Sequence, residues 1–293
     1  MNKLDFFRHQ LEILECLFPT NWFLKPRTDH PAYKRWELCK RMVAQNGILM
    51  YPEQDGDLPL ITKIVLDTSI FIAISKGSLQ NLEFGSLSFY GDNKVLKKIQ
   101  KRVIIAEQFE DIMVELSFGA WHITKSHLVE PLEVENYPDL KIVLPNATVP
   151  LYSECKRIKQ DGENNLKLRI NKANSQVKST NEVCFCVAVL DVSSPITILR
   201  VTDDSLPNRL NEIVSKVGRI LRDKQNRSIG AALLIWDDYM IMGNPPHRIL
   251  VAYRRRSIPI YHSSKKVRKK IPESLPLFDG FTVTMNMHFE PRR

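Results

Sequence analysis

The sequence has no apolar run long enough for a confident membrane span. Its longest candidate, Leu58 to Ser75, is interrupted by Pro59, Lys63 and Asp67, which reads as a buried helix. It also has no disulfide ladder. Five cysteines (Cys16, Cys39, Cys155, Cys184, Cys186) are an odd number without regular spacing, so a reducing, cytoplasmic compartment is expected. Cys184-Phe-Cys186 lacks a second pair to complete a zinc site, and core packing is its plain reading. His122 and His127 lack metal-ligand spacing and are read as structural or surface residues. The first residues, Met1 to His9, show no apolar core or small-residue cleavage site, so no secretory leader is expected. Repeats, low-complexity tracts and helicase or methyltransferase motifs are missing as well.

What is present is 293 residues with 43% hydrophobic content, enough for a substantial core. The net charge of +9 calls for an acidic partner, most simply nucleic acid. Much of the surplus lies after Val251, where ten Lys and Arg face three acids.

The informative stretch runs from Tyr137 to Arg157. Leu140 to Leu144 and Val149 to Ser153 are β-prone, and Pro145-Asn146-Ala147-Thr148 supplies turn chemistry between them. A turn centred between Asn146 and Ala147 pairs residues whose numbers sum to 293, which sets Asp139 opposite Glu154. Opposed Cβ atoms lie about 4.5–5.5 Å apart. Two carboxylates at about 4 Å repel by roughly 4 kcal/mol at an effective dielectric near 20, and a divalent cation between them would reverse that penalty. Lys156 lies two residues beyond Glu154, on the same strand face.

Pro138-Asp139, fifteen residues ahead of Glu154-Cys155-Lys156, resembles the signature of the PD-(D/E)XK nuclease superfamily. The resemblance covers about residues 94–257 and implies an α/β, restriction-endonuclease-like core, a mixed central sheet flanked by helices. It implies Mg²⁺ (or Mn²⁺) held by Asp139, Glu154 and the Cys155 backbone carbonyl. Glu115, from the helix before the hairpin, would assist, with Glu110 as fallback. Lys156 would orient the attacking water or neutralise developing charge, and Gln176, with Lys172 beside it, maps to a Lys/Gln position on the following helix. The implied activity is hydrolysis of phosphodiester bonds by an endonuclease, with DNA favoured over RNA. A homodimer would suit the cutting of two strands, and a defence or repair role follows by analogy.

The pattern around this motif is read as follows. Helices are expected over Leu4 to Phe18, Pro31 to Ala44 and Leu58 to Ser75, forming an N-terminal helical layer over residues 1–90, with Gly77 to Gly91 a connecting loop. The nuclease-like domain spans 91–260 and a basic extension 261–293. Lys94, Lys97, Lys98, Lys101 and Arg102 share one side of a helix. Helices over Gln108 to His122, Leu166 to Ser179 and Leu206 to Leu221 alternate with strands at Leu128 to Val134, Val183 to Val192, Gly230 to Trp236 and Arg248 to Tyr253. Lys94, Lys98, Lys101, Lys172 and Arg254-Arg255-Arg256 are the expected phosphate contacts, and Lys265 to Lys270 forms a further basic run. Two other readings compete. One is a non-catalytic nucleic-acid-binding or interaction module on the same fold. The other is a PIN-type ribonuclease, because Ile64 to Ile72 looks like that family's opening strand with Asp67 as its metal ligand.

Overall fold

Burial on both faces selects the strands at the centre of the fold. Phe185–Asp191 (β5) is buried at every position, and Leu151–Arg157 (β4) at all but its last. Such runs suit parallel strands covered by helices on both sides. In the computed structural model, which describes residues 3–51, 57–77, 93–132, 135–145, 147–180, 184–193, 208–242, 248–264 and 281–291, β4 pairs in parallel with β5. β5 in turn pairs in parallel with Ala231–Met242 (β6).

Antiparallel strands extend this centre on both sides. On one side lie Leu140–Val143 (β3) and Leu128–Pro131 (β2). On the other, Arg248–Tyr261 (β7) and Phe281–Pro291 (β8) follow, and Ile48–Tyr51 (β1) runs parallel to β8. The eight-stranded order is β1-β8-β7-β6-β5-β4-β3-β2.

Alternation along the strands assigns each face its helices. Odd-numbered residues such as Leu151, Cys155, Val187, Val189, Leu233 and Ile235 pack with Ala106–Thr124 (α5) and with aromatic residues of the N-terminal helices. Even-numbered residues such as Tyr152, Cys186, Ala188, Leu190 and Leu234 pack beneath Glu163–Ser179 (α6) and Asn208–Leu221 (the helix before β6). A third cluster joins Lys3–Leu17 (α1), Pro31–Ala44 (α2) and Leu58–Gly77 (α3) to Tyr239, Val251, Tyr253, Met285 and Met287. Asn93–Val103 (α4) precedes α5, and its buried Ile99 and Val103 join the first cluster. No described helix is long and apolar enough to cross a membrane.

An α/β fold with a mixed, helix-flanked sheet agrees with the expected class, and the order from α5 through the hairpin to β7 follows the expected sequence of elements. Four details differ. Ile64 to Ile72 lies within helix α3, which removes the opening strand required by the PIN reading. β1 and β8 come from the stretches assigned to a helical layer and a basic extension, yet both join the one sheet, so 1–90, 91–260 and 261–293 do not bound separate layers. β6 and β7 run to 12 and 14 residues, well past the short strands expected, because the N-terminal helices cover their far halves. β2 ends at Pro131, short of the expected Val134, and residues 133–134 lie outside the described residues. The Gly77–Gly91 loop beyond residue 77 and the Lys265 to Lys270 run lie outside the described residues.

Candidate active site

The hairpin register is the one set by pairs summing to 293: Leu140 faces Ser153, Lys141 faces Tyr152 and Ile142 faces Leu151. Asp139, one residue before β3, therefore stands across from Glu154. Its Oδ2 accepts the Cys155 backbone N–H at 2.8 Å and the Lys156 ammonium at 3.2 Å. Lys156 Nζ also lies 2.9 Å from Glu154 Oε1. Two acids and one lysine thus converge at the margin of the sheet.

Glu154 is 1% exposed, and its second oxygen, Oε2, is buried with no hydrogen-bond partner among the described residues. Burial, reinforced by the charge of Asp139, raises the Glu154 pKa to about 7, against the opposing pull of Lys156 and Lys172. For Lys156, burial disfavours the charged form, but Asp139 and Glu154 outweigh it and hold the ammonium protonated well above its ordinary range.

These groups open into a cleft of about 480 Å³. Its floor is Asp139, Glu154 and Lys156. One wall is Arg102, Glu107, Gln108 and Asp111 from α4 and α5; the other includes Arg169, Lys172 and Gln176, spaced three and four apart along one side of α6.

Glu107 and Asp111 are the acids that α5 brings to this cleft, where Glu115 was expected. Glu115 is 1% exposed, ion-paired to Arg102 at 3.2 Å, and does not line the cleft. Its apolar neighbours bury it behind the site. Asp111, one turn earlier on the same side of α5, lines the cleft and accepts the Arg157 backbone N–H at 2.8 Å. The fallback, Glu110, turns away to Arg35, 2.9 Å distant. Gln176 lines the cleft, but its side-chain amide donates to the Tyr137 carbonyl at 2.8 Å. Cys155 sends its thiol into the core; the contact seen to Asp139 is from its N–H.

The expected phosphate contacts divide. Lys98, Lys101 and Lys172 are exposed, and Lys94 lies on α4 with its side chain outside the described residues. Arg254, Arg255 and Arg256 belong to β7 and are engaged internally. Arg254 pairs with Asp238 at 2.6 Å, and Arg256 lies 3.7 Å from the same acid and 5.4 Å from the Trp236 ring. Arg255 is 4% exposed, forked onto Asp237 at 2.7 and 2.8 Å and bonded to Asp67 at 2.9 Å. It is removed from any surface role.

Arg255 belongs to a buried charge network on the odd-numbered face. Arg35 bridges Asp67 and Glu110, each at 2.9 Å. Lys63 reaches Asp191 at 3.2 Å and Asp237 at 3.8 Å. Burial opposes the charge on Asp191, but Lys63 and the Ser193 hydrogen bonds overcome it and take its pKa down to about 2. Asp67 is therefore neutralised by two arginines and serves this network.

The chain matches no protein-family model, no curated protein and no solved structure.

The donor set suits a hard divalent cation, which prefers oxygen ligands. Asp139 and Glu154 provide carboxylates side by side, and the unpartnered Glu154 Oε2 is a buried acceptor of the kind that invites a further partner. Among the described residues, no set of three acidic, histidine or cysteine side chains draws together as a metal cage. Water or substrate oxygens would have to complete the coordination. His122 and His127, bonded Nδ1 to Nδ1 at 2.9 Å near the end of α5, make a separate pair.

Proposed function

We propose that the chain is a metal-dependent nuclease of the PD-(D/E)XK type, with a restriction-endonuclease-like core, that hydrolyses phosphodiester bonds, DNA favoured over RNA. The observation that carries the reading is the hairpin register: it places Asp139 against Glu154, leaves Glu154 Oε2 unpartnered and brings Lys156 between them. Two adjacent acids with one buried carboxylate oxygen left unpartnered are costly to a scaffold, whereas a site for Mg²⁺ or Mn²⁺ uses them.

Asp139 and Glu154 would hold the ion, with Asp111 at the cleft wall in the place given to Glu115 on sequence grounds. When bound, the ion supplies Lewis acidity toward a water and a phosphate oxygen. Lys156, kept protonated by the two acids, would donate a charge-assisted hydrogen bond to a phosphate oxygen as negative charge develops there. Arg169 and Lys172 on α6, with Lys98 and Lys101 on α4, would neutralise flanking phosphates.

Lys156 also favours a second reading. With its ammonium within 3.2 Å of both acids, the triad is partly neutralised without an ion. A nucleic-acid-binding module on this fold could therefore keep it as an ion-pair cluster.

Incubation of the protein with plasmid, linear and single-stranded DNA and with RNA, in Mg²⁺, Mn²⁺ or EDTA, separates the two. Cleavage in metal and none in EDTA supports the nuclease. Retarded migration of nucleic acid with no cutting under any condition supports the module.

A further inference from the structure

Asp139 stands at the thin margin of the sheet, where β3 has four residues and, among the described residues, only the four-residue β2 lies beyond it. Glu154 and Lys156 sit inside the seven-residue β4, paired in parallel with β5. The separation of the two carboxylates therefore depends on what holds Asp139.

From the front, Asp139 is held by the Cys155 N–H and Lys156. From behind, the last turns of α6 grip the segment leading into it. Gln176 Nε2 donates to the Tyr137 carbonyl at 2.8 Å, and the single Ser179 hydroxyl proton is shared between the Asn136 and Gln176 carbonyls, each 2.6 Å away. Asn136 has φ of 64°, a left-handed conformation that asparagine tolerates better than most residues. Pro138, buried and without an N–H, has its φ locked, so the position of Tyr137 passes stiffly to Asp139. The Leu132 N–H closes the segment on the Asp139 carbonyl at 2.9 Å.

We propose that Gln176, seconded by Ser179, is a positioning residue that sets where Asp139 stands relative to Glu154. The inference rests on the nuclease reading above, and it departs from the expectation that Gln176 itself meets the reacting groups. Coordinating carboxylates work only within about 0.5 Å of the required geometry. Loss of an outer partner typically weakens metal affinity about 10–100-fold. Gln176 touches no atom of Asp139 and acts through the Tyr137 carbonyl, two residues before it in the chain, so the lower end applies.

The test is Mn²⁺ binding by the full chain without nucleic acid, read from the electron paramagnetic resonance of free Mn²⁺, for wild type, Gln176→Met and Ser179→Ala. Methionine keeps the length of glutamine and loses the donor. The expected result is an approximately tenfold higher Kd for Gln176→Met and a smaller rise for Ser179→Ala. Cleavage by both should recover as Mn²⁺ is increased. If Gln176→Met fails to fold, Ser179→Ala alone decides. An unchanged Kd in the variants overturns the inference while leaving the nuclease reading in place. So does an unchanged Kd with cleavage lost at every Mn²⁺ concentration, which would put Gln176 on the substrate. A wild type that takes up no Mn²⁺ removes the nuclease reading, and this inference with it.

Discussion

Replacing Arg255 with methionine removes the cation that ties β7 to β6 and to helix α3. Its guanidinium makes three hydrogen bonds of 2.7 to 2.9 Å to Asp237 and Asp67 in a region closed to solvent. Methionine fills most of the volume and none of the charge. Asp67 would keep Arg35 at 2.9 Å, but Asp237 would be left with Lys63 at 3.8 Å. Breaking a buried pair by removing one partner costs about 3–5 kcal/mol, because the remaining charge stays buried. The folded-to-unfolded ratio would fall by roughly two to three and a half powers of ten. With an m-value of about 3 kcal/mol/M, the urea midpoint should drop by about 1–1.7 M. Tryptophan fluorescence across a urea series measures it directly, and the slope should stay constant. A loss under about 1 kcal/mol would refute the reasoning, since it would mean that Asp237 is solvated or repartnered at little cost. The same variant separates the structural role of Arg255 from the phosphate-binding role its sequence suggests. Where it remains folded, the salt dependence of nucleic-acid binding should match the wild type.

His122 gives a pH prediction. The imidazole is fully buried, and burial, aided by repulsion from His127, lowers its folded pKa to about 3 from an ordinary value near 6.5. The unfolded chain therefore takes up the proton first, and stability present above pH 6.5 is lost as pH falls from there toward 3. By pH 5 the contribution is roughly 2 kcal/mol, so His122→Phe should lose less stability than wild type between pH 7 and pH 5 in paired urea titrations; parallel losses would count against it. Gly230→Ala should destabilise by about 1–3 kcal/mol in the same assay, because an added Cβ would stand 1.7 Å from the buried Phe185 ring; a neutral result would show that the ring moves freely. Arg169→Ala should weaken nucleic-acid binding across all sequences and reduce the salt slope by roughly one; an unchanged slope would take Arg169 out of the phosphate path.

The hairpin was legible in the sequence because its information is local. Turn residues and two alternating runs fix a register, and the register fixes Asp139 against Glu154. Helices α1 and α5 were legible from apolar spacing in the same way, and α3 from a long apolar run broken by Pro59, Lys63 and Asp67. The choice of Glu115 failed for a physical reason: apolar surroundings signal burial, and burial is what removes it from the cleft that Asp111 lines. Arg254, Arg255 and Arg256 read as surplus charge because their partners are distant in sequence. Asp67 lies 188 residues from Arg255, and the contacts of Lys63 with Asp191 and Arg35 with Glu110 span 128 and 75 residues. No window-based pattern reports such pairings. β1 escaped for a related reason, since its partner β8 lies at the other end of the chain.

Asp139, Glu154 and Lys156 are proposed to form one metal-dependent cutting site. The most direct measurement is the rate of plasmid cleavage in Mg²⁺ by wild type and by Asp139→Asn, with the fold of the variant verified by its urea midpoint. The wild type should cut, and the variant should be slower by about a hundred- to a thousandfold, the scale of losing a principal electrostatic group at a reacting centre. Cleavage that survives in folded Asp139→Asn would contradict it and move the chemistry elsewhere in the chain.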